Sequence, residues 1–353
     1  MRMNHICLNP LEAIPCIEIE NLDTIDVKQF FQRAISLSDN RSKKVIDIFN
    51  RKRRRLYGHI GLLPAEYASE YHKIKNEWQR KVITIGVDDD LVICVIKHIQ
   101  MFQHIYKRLE GLPISLCNDK KNEELVFDKL SSNNLCKKFL VNEPESKVLD
   151  KKGYKLDTYF ETYNYYSNVK TNYEKISTNK WRTKKGVNRL LKDEKLTWTK
   201  LDKPHNSIEK INNGFIRWKK DIEKSKWLSS GFAKSISQYE YWKDPNIDYW
   251  LFEYDNFPIG LIVYLTVNND IGYQLVNKGI DHMIFDDTPD IPDEVRKRIG
   301  AYMHYITMKD LYDRGVQDTF AGGAMGTRKA SLGVHKKIMN DSYFGVKIYE
   351  NIA

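Results

Sequence analysis

Apolar residues in the first hundred positions follow two patterns, one typical of helices and one typical of strands. Apolar side chains recur at helical spacing through residues 27–80, which predicts a largely helical segment. Two β-branched runs follow at Lys81–Val87 and Leu91–Ile96, and the acidic stretch Asp88–Asp90 separates them. They predict a strand hairpin with an acidic turn. A further helix is expected around Met101–Leu109.

Strands and helices then alternate up to a polar interruption. Leu112–Leu116 is a short apolar run, a helix is expected near Glu123–Leu130, and Lys138–Val141 has the pattern of a strand. This alternation indicates a mixed α/β layer. Residues 142–156 are polar and contain Pro144 and Gly153, so the boundary between a domain at 1–155 and a domain at 156–353 is placed here.

The second half opens with aromatic and basic segments. Thr158–Tyr166 predicts an aromatic strand, and one or two basic helices are expected between Tyr173 and Leu191. Ile208–Lys224 and Ser235–Trp242 have helical patterns. These segments lead to the strongest strand signal of the chain.

The strongest strand pattern in the sequence predicts a hairpin. Tyr249–Tyr254 and Phe257–Leu265 are apolar runs joined by Asp255 and Asn256, and Ile271–Val276 adds a third strand. A long helix is predicted over Glu294–Arg314, with Gly315 as its C-cap.

The C-terminal end continues the alternation. A strand is predicted at Gln317–Ala321 that ends on Gly322–Ala324, followed by a helix at Lys329–Met339 and a last strand at Tyr343–Tyr349. Both halves of the chain therefore share a loosely similar order, in which paired strands precede a helix and another strand.

Composition is that of a globular protein with room for two cores, because 353 residues exceed the usual size of one domain. The N-terminus lacks a secretory signal, and no window approaches the roughly 18 apolar residues of a membrane span, so a cytoplasmic protein is expected. The five cysteines are scattered and include no C-x-x-C pair. Reduced, mostly buried thiols are expected, with a nucleophile or metal site as the alternative.

A net charge of +10 favours an anionic partner such as DNA, tRNA or a phosphorylated metabolite, although a solvated lysine-rich surface explains it equally well. The run Arg51–Arg55 has the same two interpretations. In the basic helix, the side chains cannot all share one face. The candidate nucleic-acid-binding residues are Lys180, Arg182, Lys184, Lys185 and Arg189.

The order of meander, long helix, strand, helix and strand resembles the GNAT acyltransferase fold. Tyr305–Gly315, Thr319–Ala324 and Leu332–Lys337 resemble the ending of Fem-type aminoacyltransferases, and Lys180–Arg189 resembles the basic helix that opens the second domain of that family. The resemblance implies an α/β fold with mixed sheets, built as two tandem GNAT-like domains.

In that fold two neighbouring parallel strands splay apart, and their exposed backbone groups hold an acyl donor. The resemblance implies acyl-CoA or aminoacyl-tRNA as the donor. No metal is expected, because the sequence has no His/Cys cluster for zinc. The coenzyme A signature has its only counterpart at Lys297–Tyr302, inside the predicted helix, which favours an aminoacyl or other carrier-bound donor. The family's Phe-Lys pair is replaced by His335-Lys336 or Lys336-Lys337, and its helical-hairpin insertion has no counterpart, so a peptidoglycan acceptor is not expected.

Acyl transfer needs a base for the attacking group and a donor for the oxyanion. The candidate catalytic residues are Asp318, Glu253, Tyr273 and His304, with Tyr305 beside the last. A strand-end carboxylate, an exposed carboxylate and core aromatic residues are the alternatives. The candidate donor-binding residues are Gly322, Gly323, Arg328 and Lys329, where small residues admit a ligand and cations suit an anionic group; a flexible loop is the alternative.

The expected function is acyl or aminoacyl transfer to an amine or hydroxyl, with a nucleic-acid base, as in phage-type DNA modification, as the favoured acceptor. The competing hypothesis is a non-catalytic nucleic-acid-binding protein on a GNAT-like scaffold. The sequence contains no phosphate-binding P-loop, no G-x-S-x-G elbow and no His/Cys metal motif. The oligomeric state stays open.

Overall fold

The computed structural model divides the chain into two compact units. The described residues up to Tyr163, together with those from Phe344, belong to the first unit, and those from Asn164 to Tyr343 belong to the second. The first unit thus runs past residue 155 and includes the C-terminal strand. The structure describes residues 16–36, 40–57, 80–101, 104–133, 135–202, 206–211, 213–214, 217, 246–267, 269–282, 285–325 and 342–350.

The first unit is a mixed sheet with helices. Its strands are β1 (Cys16–Glu18), β2 (Ile35–Ser36), β3 (Arg80–Val87), β4 (Asp90–Met101), β5 (His104–Glu110), β6 (Ile114–Ser115), β7 (Lys138–Asn142), most of β8 (Lys155–Asn168) and the C-terminal β14 (Ser342–Glu350). Its helices are α1 (Val27–Arg33), α2 (Asn40–Tyr57), α3 (Lys120–Ser132) and α4 (Glu143–Lys151). Within it the order β1-β3-β4-β5-β7-β14 is parallel at β1/β3 and β5/β7 and antiparallel elsewhere, with β2 beside β3 and β6 beside β4.

The predicted acidic hairpin is confirmed. Val87 pairs with Asp90 across a two-residue turn, and Asp88 has φ +52°, a left-handed conformation that Asp tolerates better than most residues. The predicted helices at 27–57 are confirmed as α1 and α2, with β2 between them; residues 58–79 lie outside the described residues. The predicted α3 and β7 are also confirmed.

The helix expected at Met101–Leu109 is wrong. β4 runs on to Met101, and β5 begins at His104 and pairs with it antiparallel while its last residues pair parallel with β7. A segment with neighbours on both sides obtains its backbone hydrogen bonds from them, and this overrides the weak local preference that the sequence shows.

The polar stretch placed at the domain boundary is a helix. Asn142 caps α4 by accepting a hydrogen bond from the Glu145 N–H, and the Glu145 carboxylate accepts one from the Asn142 N–H, which completes a capping box. Pro144 lies in the first turn, where its missing N–H costs nothing. Residues 143–151, where the domain boundary was predicted to begin, therefore form a helix inside the first unit.

Five strands of the second unit lie side by side in a sheet. Its strands are β9 (Leu196–Leu201), β10 (Ile247–Tyr254), β11 (Phe257–Val267), β12 (Ile271–Gly279) and β13 (Asp318–Met325), and its helices are α5 (Val169–Ser177), α6 (Lys184–Leu190) and α7 (Asp293–Asp313). They lie in the order β9-β10-β11-β12-β13, antiparallel except for the parallel pair β12/β13. The meander and the pair of basic helices are confirmed, whereas β9 was not predicted.

Local signals account for the turns of this unit. Asp255 and Asn256 both have positive φ, as a type I′ hairpin turn requires. Gly315 has φ +76° and ends α7, with the Val316 N–H donating to the Leu311 carbonyl, so the predicted C-cap is confirmed. Of the helix predicted at 208–224 only part is described, and the helices predicted at 235–242 and 329–339 lie outside the described residues.

α7 packs on the sheet through glycines. The Met303 thioether occupies the space that a Cβ on Gly260 would need, and a Cβ on Gly279 would lie 3.1 Å from the Ile299 side chain. Both glycines pair with each other across β11 and β12, so they define the face that α7 covers. Side chains of the next residues, Leu261 and Lys278, point to the opposite face.

The remaining expectations concern thiols and membranes. Cys94 and Cys136 are buried, while Cys16 and Cys117 are exposed. Burial raises the pKa of Cys136 to about 12, and that of Cys94 is also raised by burial, so neither is available as a nucleophile at neutral pH. Within the described ranges, no helix is long and apolar enough to cross a membrane and no cluster of metal-ligating side chains occurs.

Candidate active site

The parallel strands β12 and β13 pair over a short stretch only. The register runs from Ile271 opposite Asp318 to Tyr273 opposite Phe320, although β12 continues to Gly279 and β13 to Met325. Among residues that the structure describes, the ladder ends there. In the part of the chain that the structure describes, the two strands thus pair with each other at their amino ends and not beyond Tyr273 and Phe320.

A β-bulge explains where the pairing ends. On the other side of β12, Val263 pairs with Val276 and Tyr264 with Gln274, so Leu275 is an extra residue without a partner on β11. A bulge bends a strand and increases its twist, and bulges often end pairing beside active sites. Leu275 lies two residues beyond Tyr273, the last residue of β12 that pairs with β13. At this position the bend of the bulge directs β12 away from β13.

The divergence leaves main-chain groups facing a gap. Beyond Tyr273 and Phe320, the edges of β12 and β13 that face each other are outside the ladder, and such N–H and C=O groups need partners. An extended chain that carries amide or carbonyl groups fits this requirement. The prediction that the strand stops at Ala321 is wrong: β13 continues through Gly322 and Gly323, which therefore lie along the gap. Arg328 and Lys329 lie outside the described residues.

A cavity of about 360 Å³ lies between helical residues at 206–211, 213–214 and 217 and the chain that follows β12. Phe285 packs against Gly214, and a Cβ on Gly214 would lie 2.5 Å from the Phe285 ring. The Phe285 and Phe257 rings pack edge to face, with their centroids 5.3 Å apart. The cavity is lined by Asn206, Glu209, Lys210, Asn213, Gly214, Arg217, Phe285, Asp286 and Asp287. Its floor is aromatic and its rim is charged.

The rim is mixed in charge, with a small acidic excess. Lys210 pairs with Asp287 and Arg217 with Asp286, both at 2.7 Å, while Glu209 adds another carboxylate. The hydrogen bond from Lys210 lowers the pKa of Asp287, so this carboxyl is ionised at neutral pH.

The start of α7 is acidic as well. Asp293 and Glu294 occupy the first turn, and they pair with Lys297 at 2.8 Å and Arg298 at 2.7 Å. The hydrogen bond from Lys297 lowers the pKa of Asp293. These carboxylates occupy the favourable field of the helix N-terminus and engage the two cations of the Lys297–Tyr302 segment. That segment lies inside α7, where its backbone amides belong to the helix.

Of the predicted catalytic residues, Tyr273 lies nearest the gap. It forms the last pair of the ladder, is buried, and meets the Phe320 ring edge-on at 6.2 Å. Asp318 is buried at the opposite end of the ladder, where Asn168 Nδ2 donates to its carboxylate at 3.4 Å. Three residues of strand, about 10 Å, separate Asp318 from the start of the gap.

The other two candidates lie elsewhere in the second unit. Glu253 is half-buried near the carboxyl end of β10, with β11 between it and β12, which places it about 10 Å from β12. His304 is buried in the middle of α7. The structure therefore does not gather the four predicted residues into one cluster, and their roles stay predictions.

Part of the basic segment Lys180–Arg189 is buried and packs against α7. Lys184 is buried with its ammonium group 4.0 Å from the Tyr305 ring centroid, and the buried Trp181 stacks on the same ring. Lys180, Arg182, Lys185 and Arg189 remain exposed, with Arg189 3.7 Å from Glu294. Four of the five predicted nucleic-acid-binding residues are accessible, and Lys184 instead anchors α6 to α7.

Exchanging these lysines for methionine should separate the two roles. Lys184→Met removes a buried cation–π contact and is expected to lower the free energy of unfolding of the second unit by about 1–2 kcal/mol. Lys185→Met should leave that stability unchanged, because the Lys185 side chain is exposed. Segment-resolved hydrogen exchange of residues 169–190 during urea titration would measure both variants; equal effects of the two substitutions on stability would contradict the assignment.

Sequence reasoning missed several features of this site. The bulge at Leu275 has no signature, because an extra residue in a strand resembles any other apolar residue. The cavity residues Lys210 and Arg217 belong to a predicted helix without any mark of a site. The acidic run from Asp281 to Glu294 was the available signal, since it holds six carboxylates before the first cation at Arg296.

Comparison with solved structures identifies the fold. The chain has the fold of GNAT-type acyltransferases, as predicted. FemX aligns with a TM-score of 0.52 at 11% identity over 81% of this chain and 91% of its own. The C-terminal domain of a putative lysylphosphatidylglycerol synthetase from Agrobacterium fabrum aligns with 0.51 at 9% identity over 78% and 84%.

A conserved protein of unknown function from Bacteroides thetaiotaomicron is similar over almost its whole length, with a TM-score of 0.51, 12% identity and coverage of 95% and 97%. No family model matches the sequence. No curated protein matches it. At these identities the similarities establish the fold, and the chemistry has to be argued from the residues.

Proposed function

We propose that the protein is an acyl- or aminoacyltransferase whose donor lies in the gap between β12 and β13. The observation that supports this most directly is the ladder that ends at Tyr273 and Phe320 beside the bulge at Leu275. Open main-chain groups would hold the donor as a third strand segment and direct its carbonyl. Attack by an amine or hydroxyl would then release the carrier and transfer the acyl group to the acceptor, with the proton passing to a base.

The donor is proposed to be an aminoacyl or other carrier-bound acyl group rather than acyl-CoA. A diphosphate would need free amides and cations at the start of α7. Asp293 and Glu294 are there instead, and they already neutralise Lys297 and Arg298. A polyanionic group at this position would meet ionised carboxylates. A cationic amino group, in contrast, would be attracted to the acidic rim of the cavity.

A nucleic-acid base is the proposed acceptor. Its support is the exposed cations Lys180, Arg182, Lys185 and Arg189, which follow one another on the surface of the second unit. Their contribution should be electrostatic and therefore steeply dependent on salt. The non-catalytic alternative uses the same cations without any donor.

Donor binding is tested by hydrogen exchange of the full chain with panels of acyl-CoA and aminoacyl-tRNA. A donor in the gap should slow exchange in segments 274–279 and 319–325 and leave 80–110 unchanged. Transfer of a radiolabelled acyl group to DNA, tRNA or small amines then identifies the acceptor. Salt-sensitive DNA binding without donor protection or transfer would establish the non-catalytic alternative.

A further inference from the structure

Both units place a helix between two parallel strands in the same way. In the second unit, β10-β11-β12 form a meander and α7 leads to β13 beside β12. In the first, β3-β4-β5 form a meander and α3 leads to β7 beside β5. The carboxyl ends of β5 and β7 are thus the counterpart of the gap between β12 and β13.

The counterpart strands do not diverge. β5 and β7 pair from Arg108 opposite Lys138 to Glu110 opposite Leu140, and the Gly111 N–H then donates to the Leu140 carbonyl at 2.7 Å. The ladder therefore continues past the last residue of β5. On its other side β5 pairs with β4 without interruption, so it carries no bulge.

A buried ion pair fills the space beyond these strand ends. Arg53 of α2 and Glu145 of α4 are 3% and 0% exposed, and Arg53 Nη2 lies 2.5 Å from Glu145 Oε2. Glu145 also accepts from the backbone N–H groups of Asn142, at 3.0 Å, and Leu112, at 3.2 Å. The main-chain donors next to β5 and β7 are bound by the protein's own carboxylate.

The packing leaves no room for a ligand chain. Gly111 has φ +84°, and a Cβ placed on it would lie 2.8 Å from Arg53 Cζ. The guanidinium group lies close against the Gly111 backbone, and the Phe49 ring centroid is 5.4 Å from Arg53 Cζ. One member of the basic run Arg51–Arg55 is therefore part of a core and is unavailable to an outside anion.

We propose that the Arg53–Glu145 pair closes the first unit's counterpart of the donor gap, so that each chain takes a single donor, in the second unit. The inference rests on the proposed function for the donor itself, whereas the closure is a property of the first unit alone. It assigns the first unit a role other than donor binding.

Hydrogen exchange of the ligand-free, full-length chain tests the closure. The amides of Gly111 and Leu112 should exchange at least about 10-fold more slowly than the fastest amides in segment 274–279, because they have bonded partners and the latter face the gap. Equal exchange rates in the two places would overturn the closure, whether or not any donor is found.

Native mass spectrometry with the aminoacyl-tRNA or acyl-CoA that protects the second unit tests the stoichiometry. One donor per chain is expected, and deletion of Leu275, which removes the bulge of β12, should lower this binding at least about 10-fold, whereas Glu143→Gln, exposed on α4 of the first unit, should not. Two donors per chain would refute the proposal and leave the transferase function intact. Protected Gly111 and Leu112 amides with no donor bound anywhere would uphold the closure and refute the transferase function.

Discussion

Glu145→Gln is expected to lower the free energy of unfolding of the first unit by about 3–5 kcal/mol, because it leaves the buried Arg53 charge without its counter-ion. Glu145 is wholly buried and holds three donors: Arg53, the Asn142 N–H and the Leu112 N–H. A glutamine of the same shape keeps the packing and loses the charge. The effect therefore measures the loss of the buried charge rather than a cavity.

Segment-resolved hydrogen exchange at 138–151 during urea titration is the appropriate measurement, since a two-unit chain does not have one unfolding free energy. Glu143→Gln is the matched control, because Glu143 is exposed two residues earlier in the same helix, and its effect should stay within about 0.5 kcal/mol. The double variant Arg53→Met/Glu145→Gln should recover part of the loss, because it removes the uncompensated charge and keeps a side-chain oxygen that can accept from the Asn142 N–H. Equal effects of the Glu145 and Glu143 substitutions would show that the pair carries no stability.

Deleting Leu275 is expected to reduce acyl transfer by about 100-fold, the effect of displacing a reacting group by about 1 Å. Without this residue, Tyr264 opposite Gln274 would be followed directly by Val263 opposite Val276, which is a regular antiparallel ladder. β12 would then lose the bend that separates it from β13. Pairing would extend beyond Tyr273 and close the gap.

Leu275→Ala is the matched control, because it shortens the side chain and keeps the bulge; its rate should stay within a few-fold of the parent. Initial rates with the identified donor, and exchange of segment 319–325, report the effect, with circular dichroism as the check on folding. If the deletion variant folds and transfers the acyl group at the parental rate, the bulge does not contribute to catalysis.

Much of the fold was predictable because it depends on short-range signals. The hairpin at Asp255 and Asn256, the turn at Asp88 and the end of α7 at Gly315 each need a particular backbone conformation that few residues adopt. Such positions mark the boundaries of elements. The similarity of the C-terminal segments to Fem-type enzymes also predicts the GNAT fold.

The incorrect predictions fall where residues distant in sequence determine the local structure. β5 was expected to be a helix, and only its neighbours β4 and β7 make it a strand. The polar residues at the start of α4 predict a domain boundary, although Asn142 and Glu145 have the spacing of a capping box. Glu145 could be polar and internal only because Arg53, 92 residues away in sequence, meets it.

By itself, the sequence determined the order of elements, the turns between them and the class of fold, because periodicity and turn-forming residues act over a few positions. Only the tertiary structure decided which parallel strands separate and which are closed. That difference depends on one extra residue at Leu275 and on an ion pair between α2 and α4. Neither has a local signature, since a bulge is defined by the strand opposite it and a buried charge by the partner that compensates it.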